Sequence, residues 1–280
     1  QKQRKGTIIF LNLCDMKISA FTKIVLACLL IVAFACKRKD NIVILYDNDV
    51  HCAVDGYAKM AGVKNELKKQ TPYVSVVSCG DFAQGDVIGT LSEGGSIEKI
   101  MNQVGYDVVV MGNHEFDYSF RTMEELASQL KATVVSCNLI NKKTNQTVFK
   151  PYKIVEYGST KVAYVGVITP ETLTSSPKIF KDIQLAPFDA ENNVEGVDFE
   201  GDFCADSLSK QVLKNVDAAR REGAHFVVVL SHLGDELLDK SMPTSVALIE
   251  QTHGIDVVLD GHAHHTIADT LIANNQNQMV

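Results

Sequence analysis

The chain has 280 residues and a formal net charge of −7, and 46% of its residues are hydrophobic. This apolar share is ordinary for a globular domain and excludes a disordered polar chain. The acidic balance argues against nucleic acid as a partner, because no Lys/Arg stripe is present to neutralise phosphates. The seven Cys include no CxxC pair, which argues against a small disulfide scaffold and against a zinc–thiolate site.

The first 40 residues differ in charge from the rest of the chain. They carry eight Lys or Arg and two Asp, whereas the remainder is strongly acidic. From Met16, a short basic segment precedes an unbroken apolar run over Ile24–Ala35, which is typical of a secretory signal and too short to span a bilayer. The run ends at Cys36 in a sequence that resembles a bacterial lipoprotein box. A buried Cys ending a core helix is the alternative, but the charged segment Lys37–Asp40 follows at once.

These features predict the organisation of the leader and the location of the protein. We expect residues 1–15 to lie upstream of the natural start or to be non-native, and residues 16–40 to be a lipoprotein-type signal peptide and tether. Cys36 is then the lipidated first residue of the mature protein. The protein would be exported to the periplasm or cell surface of a bacterium, and its lipid anchor would be its only contact with the membrane.

Beyond residue 40, apolar strands alternate with amphipathic helices, which is typical of an α/β fold. Runs rich in β-branched residues predict strands over Ile42–Tyr46, Val74–Ser78, Val108–Met111, Phe226–Leu230 and Ile255–Leu259. Helical periodicity predicts helices over Tyr57–Gln70, Ile97–Val104, Phe120–Leu130, Ser207–Glu222 and Ser245–Thr252. A hairpin that starts a second sheet is predicted from Val148–Val155 and Thr160–Ile168. A long surface loop over the rim of the site described next is predicted from Glu171–Ala205.

A polar motif follows each of the five predicted strands. Because the carboxyl ends of neighbouring strands in an α/β sheet converge on one crevice, we expect the motif side chains to meet there. Imidazole, carboxylate and amide groups suit a divalent ion such as Mn, Zn, Fe, Co or Mg. Seven candidate donors are too many for one tetrahedral ion, so a shared carboxylate would bridge two ions about 3.5–4 Å apart. The donors are Asp49, His51, Asp81, Asn113, His232, His262 and His264.

His114 is not one of these candidate ligands, so its imidazole is available for a different role. It could stabilise a transition state or protonate a leaving oxygen, and Asp117 could hold its ring in one tautomer and favour the charged form. Taken singly, each motif could be a turn or a structural residue. Their joint occurrence after strands favours the metal site. We expect Glu115 to support the ligands, and structural roles for His225, His253 and His265.

The motifs D-x-H, G-D, G-N-H-E-F-D, S-H-L-G and G-H-x-H resemble the calcineurin-like metallophosphoesterases, and more narrowly the N-terminal catalytic domain of bacterial 5′-nucleotidases, from about Ile42 to about Ala273. The Asp-Arg pair of protein phosphatases is absent after Gly80-Asp81, which favours the nucleotidase branch. Asp47 stands where that branch usually has Thr, while Asp49 keeps the expected spacing to His51.

The resemblance implies a four-layer α/β/β/α sandwich with two mixed sheets. It also implies that Asp81 bridges two divalent metal ions and that His114 and Asp117 form the catalytic dyad. Asp49, His51, Asp81 and His264 would hold one ion, and Asp81, Asn113, His232 and His262 the other.

The implied activity is hydrolysis of nucleoside monophosphates or related phosphate esters by metal-activated water. Residues 41–280 would be the catalytic domain, truncated before its last strands and before the C-terminal domain that binds the substrate in this family. We therefore expect poor discrimination among phosphate esters. Two alternatives remain. The chain could be an inert metal-binding fragment or the catalytic subunit of a split enzyme whose substrate domain is separately encoded, or it could act on thiosulfate-type substrates as some relatives of the family do.

Overall fold

The computed structural model describes residues 41–141, 144–172, 197–199, 205–236 and 243–280. The predictions for residues 1–40, including Cys36, and for most of 171–205 lie outside the described residues. Within the described part, no helix is long and apolar enough to cross a membrane.

The first sheet contains four parallel strands in chain order. They are β1 (Val43–Asp47), β2 (Val74–Ser78), β3 (Val108–Val109) and β4 (Thr133–Val134). Parallel strands need crossover connections, and helices supply them here. These helices are α1 (Val54–Lys68), α2 (Val87–Ser92), α3 (Gly95–Val104) and α4 (Phe120–Gln129), with a 3₁₀ turn at His114–Phe116 after β3.

Beyond β4, the described residues form a second sheet, a small third sheet and two helices. In chain order these elements are β5 (Leu139–Asn141), β6 (Gln146–Thr147), β7 (Tyr152–Tyr157), β8 (Thr160–Ile168), β9 (Val197–Phe199), α5 (Ala205–Arg221), β10 (Phe226–His232), α6 (Ser245–Gln251) and β11 (Val257–Leu259). The second sheet has the order β11-β10-β8-β7, and only the β7–β8 pair in it is antiparallel. The small sheet has the order β6-β5-β9.

The alternation of side chains along β8 shows how the layers pack. Tyr164 and Ile168 point into the core that is shared with the first sheet, whereas Val165 and Val167 point into a second core with Val212 of α5. Successive side chains of a strand face opposite sides, so the second sheet is covered on both faces. The four layers are therefore helices, first sheet, second sheet and helices, which confirms the predicted α/β/β/α sandwich.

The elements differ from their predictions mainly at their ends. The predicted strand Val148–Val155 is wrong at its start, because Pro151 has no N–H for a sheet hydrogen bond and β7 begins only at Tyr152. Strand β3 is shorter than the predicted Val108–Met111. The second sheet is mixed, as predicted, whereas the four described strands of the first sheet are all parallel.

Candidate metal centre

The predicted metal ligands lie together at the carboxyl ends of the strands. Asp49 and His51 follow β1, Asp81 follows β2 and Asn113 follows β3. His232 ends β10, and His262 and His264 follow β11. These residues include two sets, and within each set the ligand atoms all lie within 4.8 Å of one another. We name them the rim group, with Asp49, His51, Asp81 and His264, and the deep group, with Asp81, His232 and His262.

The deep group contains buried polar atoms that the described protein leaves without a partner. His232 Nε2 lies 3.1 Å from Asp81 Oδ2, and its other nitrogen, Nδ1, lies within hydrogen-bond distance of the Cys79 carbonyl oxygen. With Nδ1–H donating to that carbonyl, Nε2 faces the carboxylate, with a proton between them in the charged form of His232 and with a lone pair for a cation once that proton leaves. Among the described residues, neither His232 Nε2 nor Asn113 Oδ1 has a hydrogen-bond partner. A buried ring nitrogen at this distance from a buried carboxylate fits a cation held between them.

The rim group has the same chemical character but is more open to solvent. His51 Nε2 lies 3.2 Å from His264 Nε2 and 3.9 Å from Asp81 Oδ2, and His264 Nε2 lies 3.6 Å from Asp49 Oδ1. His51 Nδ1 lies 3.1 Å from the Gln84 carbonyl oxygen, to which it can donate, so Nε2 keeps its lone pair. Nitrogen lone pairs and carboxylates at these distances repel one another unless a proton or a cation lies between them.

The backbone at the centre adopts conformations that side-chain-bearing residues rarely take. Positive φ angles occur at Asp49 (49°), His51 (43°), Asp81 (57°), His262 (82°) and His264 (56°). Such conformations cost free energy and are concentrated at functional sites, where the surrounding structure holds them in place. Five of the seven predicted ligands therefore sit on strained backbone.

Two glycines allow the loops to approach this closely. A Cβ on Gly112 would lie 2.1 Å from Asp81 Oδ1 and 2.6 Å from His232 Nε2. A Cβ on Gly261 would lie 3.0 Å from Asp49 Oδ2. Any side chain at Gly112 would enter the space between the candidate ligands, so the motif needs glycine at this position.

Glu115 holds two of these loops together. Its carboxylate is fully buried and accepts hydrogen bonds from the backbone N–H of Asp81 (2.8 Å), Phe82 (2.8 Å), Ala83 (2.9 Å) and Gly112 (2.7 Å). It thereby joins the loop after β2 to the loop after β3, next to the carboxylate that both groups share. Glu115 supports the ligands, as expected from the sequence.

His114 and Asp117 form a close pair beside the two groups. His114 Nδ1 lies 2.6 Å from Asp117 Oδ2, and this hydrogen bond raises the pKa of His114. The backbone N–H of His114 donates to Asp81 Oδ1 (2.9 Å), and the His114 ring lies 5.3 Å from the His51 ring, measured between centroids. A partly exposed imidazole that favours its charged form can act as a general acid for a group bound beside the ligands.

The charges at the bottom of the centre stabilise one another. Burial by itself raises the pKa of Asp81 and lowers that of His232, but their mutual attraction outweighs it. The pKa of Asp81 falls below its usual range, and that of His232 rises to about 9.

Asp47 belongs to neither group. It accepts a hydrogen bond from the Tyr106 hydroxyl, and burial raises its pKa to about 6.

Comparison with known proteins agrees with this geometry. Residues 42–266 match the family described as calcineurin-like phosphoesterase. The chain belongs to that family. The prediction of the family is thus confirmed, whereas the activity of this chain and the assignment of each ligand to a metal ion stay predictions.

The related proteins are nucleotide-hydrolysing enzymes by their names. A probable 5′-nucleotidase of Treponema pallidum is 25% identical over 222 residues, which is 79% of this chain and 33% of that protein. A 2′,3′-cyclic-nucleotide 2′-phosphodiesterase/3′-nucleotidase of Haemophilus influenzae is 26% identical over 241 residues, covering 79% of this chain and 34% of that protein. The chain spans about a third of the length of the curated relatives it matches first.

Solved structures show the same fold. The NAD nucleotidase NadN of Haemophilus influenzae superimposes with a TM-score of 0.66 at 22% identity, covering 85% of this chain and 43% of that one. The sulfate thiohydrolase SoxB of Thermus thermophilus gives a TM-score of 0.58 at 25% identity, covering 75% of this chain and 34% of that one.

One residue of this calcineurin-like phosphoesterase centre was not singled out as a site residue in the sequence. Glu171 follows β8, and its Oε2 lies 2.8 Å from His262 Nε2. Its position in the sequence could have identified it, because it stands just beyond a strand end like the other motifs. The three His predicted to be structural lie outside both groups. His265 pairs with Asp235 at 2.9 Å, and His225 Nδ1 accepts the Lys161 N–H.

Proposed function

We propose that the chain is a di-metal phosphohydrolase that releases phosphate from nucleoside monophosphates or related nucleotides. One observation carries the proposal. Two groups of candidate ligands share the buried carboxylate of Asp81, and the His114–Asp117 pair lies directly beside them. A shared carboxylate could bridge two ions about 3.5–4 Å apart, which is the spacing of two-metal sites for phosphoryl transfer.

Asp49, His51, Asp81 and His264 would hold one divalent ion, and Asp81, Asn113, His232 and His262 the other. Mn, Zn, Fe, Co and Mg suit these donors. When bound, such ions lower the pKa of a water molecule and neutralise charge on the phosphate.

The described residues can supply the proton that the leaving group needs in the hydrolysis. An oxygen of water forms a bond to phosphorus, and the ester P–O bond breaks. His114, held by Asp117 and favouring its charged form, gives its proton to the leaving oxygen. The attacking water releases a proton to solvent and His114 regains one, so the products are the alcohol and inorganic phosphate from a monoester, or a nucleoside monophosphate from a cyclic diester.

The names of the relatives support nucleotides as the substrate class, including 5′-nucleotides and 2′,3′-cyclic nucleotides. The chain itself carries a net charge of −7, so the bound cations rather than the protein's net charge would attract an anionic substrate. A separately encoded or C-terminal substrate-binding domain would supply the contacts to the base.

The likeness to SoxB supports a second candidate, a thiosulfate-type hydrolase. The same centre would then release sulfate. A third candidate is a metal-binding fragment or the catalytic subunit of a split enzyme, which would bind ions without turnover until its partner domain is added.

We also propose that residues 16–40 direct export and that lipidation of Cys36 anchors the protein to a bacterial membrane. The basic and apolar pattern that ends at Cys36 supports this location. Labelling of expressing bacteria with a fatty-acid analogue tests it, with Cys36→Ser as the unlabelled variant. Equal labelling of the two proteins would contradict the anchor.

Turnover is tested by measuring phosphate release from AMP and p-nitrophenyl phosphate and conversion of 2′,3′-cyclic AMP to a nucleoside monophosphate, alongside sulfate release from thiosulfate compounds. We expect Mn²⁺-dependent phosphate release that stops after chelation. His114→Ala should lower turnover by roughly 10²–10⁴, the usual range for a lost acid–base group, while leaving the metal content unchanged.

His253→Ala is the matched control, because His253 belongs to neither ligand group. It should retain wild-type turnover. Equal rates for wild type and His114→Ala would remove His114 from the mechanism. Sulfate release without phosphate release would replace the proposed reaction with that of the second candidate.

A further inference from the structure

We infer that Glu171 is a positioning residue of the deep group and that it holds the His262 ring in the tautomer that leaves Nδ1 free for a cation. The inference deepens the proposed function and rests on it. Glu171 lies outside both sets of candidate ligands, and no motif of the sequence includes it.

The fold brings Glu171 to the deep group. Ile168, the last residue of β8, is in register with His232 on the neighbouring strand β10. Glu171 lies three residues further on, at the same edge of the second sheet. Both strands end here, so the loop after β8 and the ligand at the end of β10 open into the same crevice.

The turn that carries Glu171 is well anchored. Thr172 donates to the Thr169 carbonyl oxygen through its backbone N–H (3.2 Å) and through its hydroxyl (2.7 Å). The Glu171 N–H donates to Thr169 Oγ1 (3.3 Å). Both threonines are buried. The Glu171 backbone is therefore fixed, and its side chain reaches His262 from a defined position.

The contact with His262 determines which ring nitrogen carries hydrogen. Glu171 Oε2 lies 2.8 Å from His262 Nε2. An ionised carboxylate only accepts hydrogen bonds, so Nε2 is the protonated nitrogen and Nδ1 keeps its lone pair. A carboxylate on the outer nitrogen of a metal-ligating His fixes the tautomer and the ring orientation, and makes the ligand more basic.

The other two buried or half-buried rings are held in the opposite tautomer by backbone groups. Carbonyl oxygens of Gln84 and Cys79 face Nδ1 of His51 and of His232, so Nε2 is the nitrogen turned toward the shared Asp81 carboxylate in both. A substitution cannot remove a backbone carbonyl. His262 is held by a side chain, so its orientation can be tested by mutation.

The expected effect is moderate because the backbone of His262 is held independently. Its N–H donates to both carboxylate oxygens of Asp49, each at 3.0 Å. Loss of Glu171 would therefore release the ring but not the loop. Glu171 is about one third exposed, so solvent screens part of the interaction. Removal of such a supporting partner typically lowers metal affinity 10–100-fold.

Calorimetric titration of the metal-free chain with Mn²⁺ tests the inference on wild type, Glu171→Ala, Glu171→Gln and Glu236→Ala. We expect Glu171→Ala to bind one of two ions about 10–100-fold more weakly and to leave the other unchanged. Glu171→Gln keeps an accepting oxygen and should lie between Ala and wild type. Glu236→Ala removes an exposed acidic residue of the loop after β10 and should bind like wild type.

A second readout does not depend on turnover. Long-range ¹H–¹⁵N spectra of the metal-free protein at about pH 8.5 report the tautomer of each His ring. Wild-type His262 should carry hydrogen on Nε2, and Glu171→Ala should show a mixture of tautomers. Hydrogen on Nδ1 in wild type, or unchanged affinity for both ions in Glu171→Ala, would overturn the inference. Wild type that binds no ion would instead overturn the proposed function, while the tautomer of His262 would still be readable.

Discussion

In the deep group the ring of His232 is fully buried and Asp81 is 1% exposed, whereas in the rim group His264 is 60% exposed and His51 is 24% exposed. The two groups share one carboxylate but bury their charges to different extents. Buried charges depend on their partners far more than exposed charges do. The deep group should therefore be coupled to the stability of the fold, and the rim group mainly to metal binding.

The largest expected difference concerns the two histidines. His232→Ala leaves the buried Asp81 carboxylate without its partner, so it should destabilise the metal-free protein by about 3–5 kcal/mol. His264→Ala, at an exposed position, should change the free energy of unfolding by no more than about 0.5 kcal/mol. Urea unfolding of the chelated proteins measures both values. Equal destabilisation by the two substitutions would show that the deep group and the rim group do not differ in their contribution to the stability of the fold.

Glu115 supports the loops of both groups, and its substitution should have the next-largest effect on stability. Glu115→Gln replaces an oxygen with an NH₂ group that faces backbone N–H donors, so it should lower the free energy of unfolding by about 1.5–3 kcal/mol. Because the loop of Asp81 loosens, affinity for both ions should fall. Glu125→Gln, on the exposed side of α4, is the matched control. A Glu115→Gln protein with wild-type stability and wild-type affinity for both ions would show that the four hydrogen bonds do not hold the centre.

A further expected effect is a dependence of stability on pH. The pKa of His232 in the folded protein is about 9, above the usual value of 6.5. Its contribution to stability is therefore fully present below about pH 6.5 and is lost as the pH rises through 9. The same proton must leave before a cation binds, so affinity for the deep ion should increase over this range.

Unfolding of the metal-free protein at pH 7 and at pH 9.5 measures the stability change, and the His232→Ala variant supplies the baseline for other groups. Wild type should lose more stability than the variant between these pH values. A parallel decline in the two proteins would mean that His232 does not titrate in this range.

The motifs predicted much of the centre because its geometry follows from the fold. Asp81 and His232 each stand at the end of an apolar strand, as predicted, but β2 and β10 belong to different sheets, so the two residues meet because the carboxyl ends of both sheets lie at one edge. The strand predicted over Thr160–Ile168 is confirmed as β8, which pairs with β7 as an antiparallel hairpin of the second sheet.

What the sequence did not predict depends on contacts between loops. Glu171 has no motif of its own, and its role follows from a turn that brings it to His262 across 91 positions of the chain. The four backbone partners of Glu115 could not be named either, because they depend on positive φ at Asp81. The helix α2 was not predicted, since its six residues are too few to show a helical period.

The central claim is that two cations share Asp81, and anomalous diffraction from crystals of the chain soaked in Mn²⁺ tests it most directly. We predict two peaks about 3.5–4 Å apart, one beside His232 and His262 and the other beside His51 and His264, with Asp81 between them. A single peak, or two peaks that Asp81 does not join, would contradict the account.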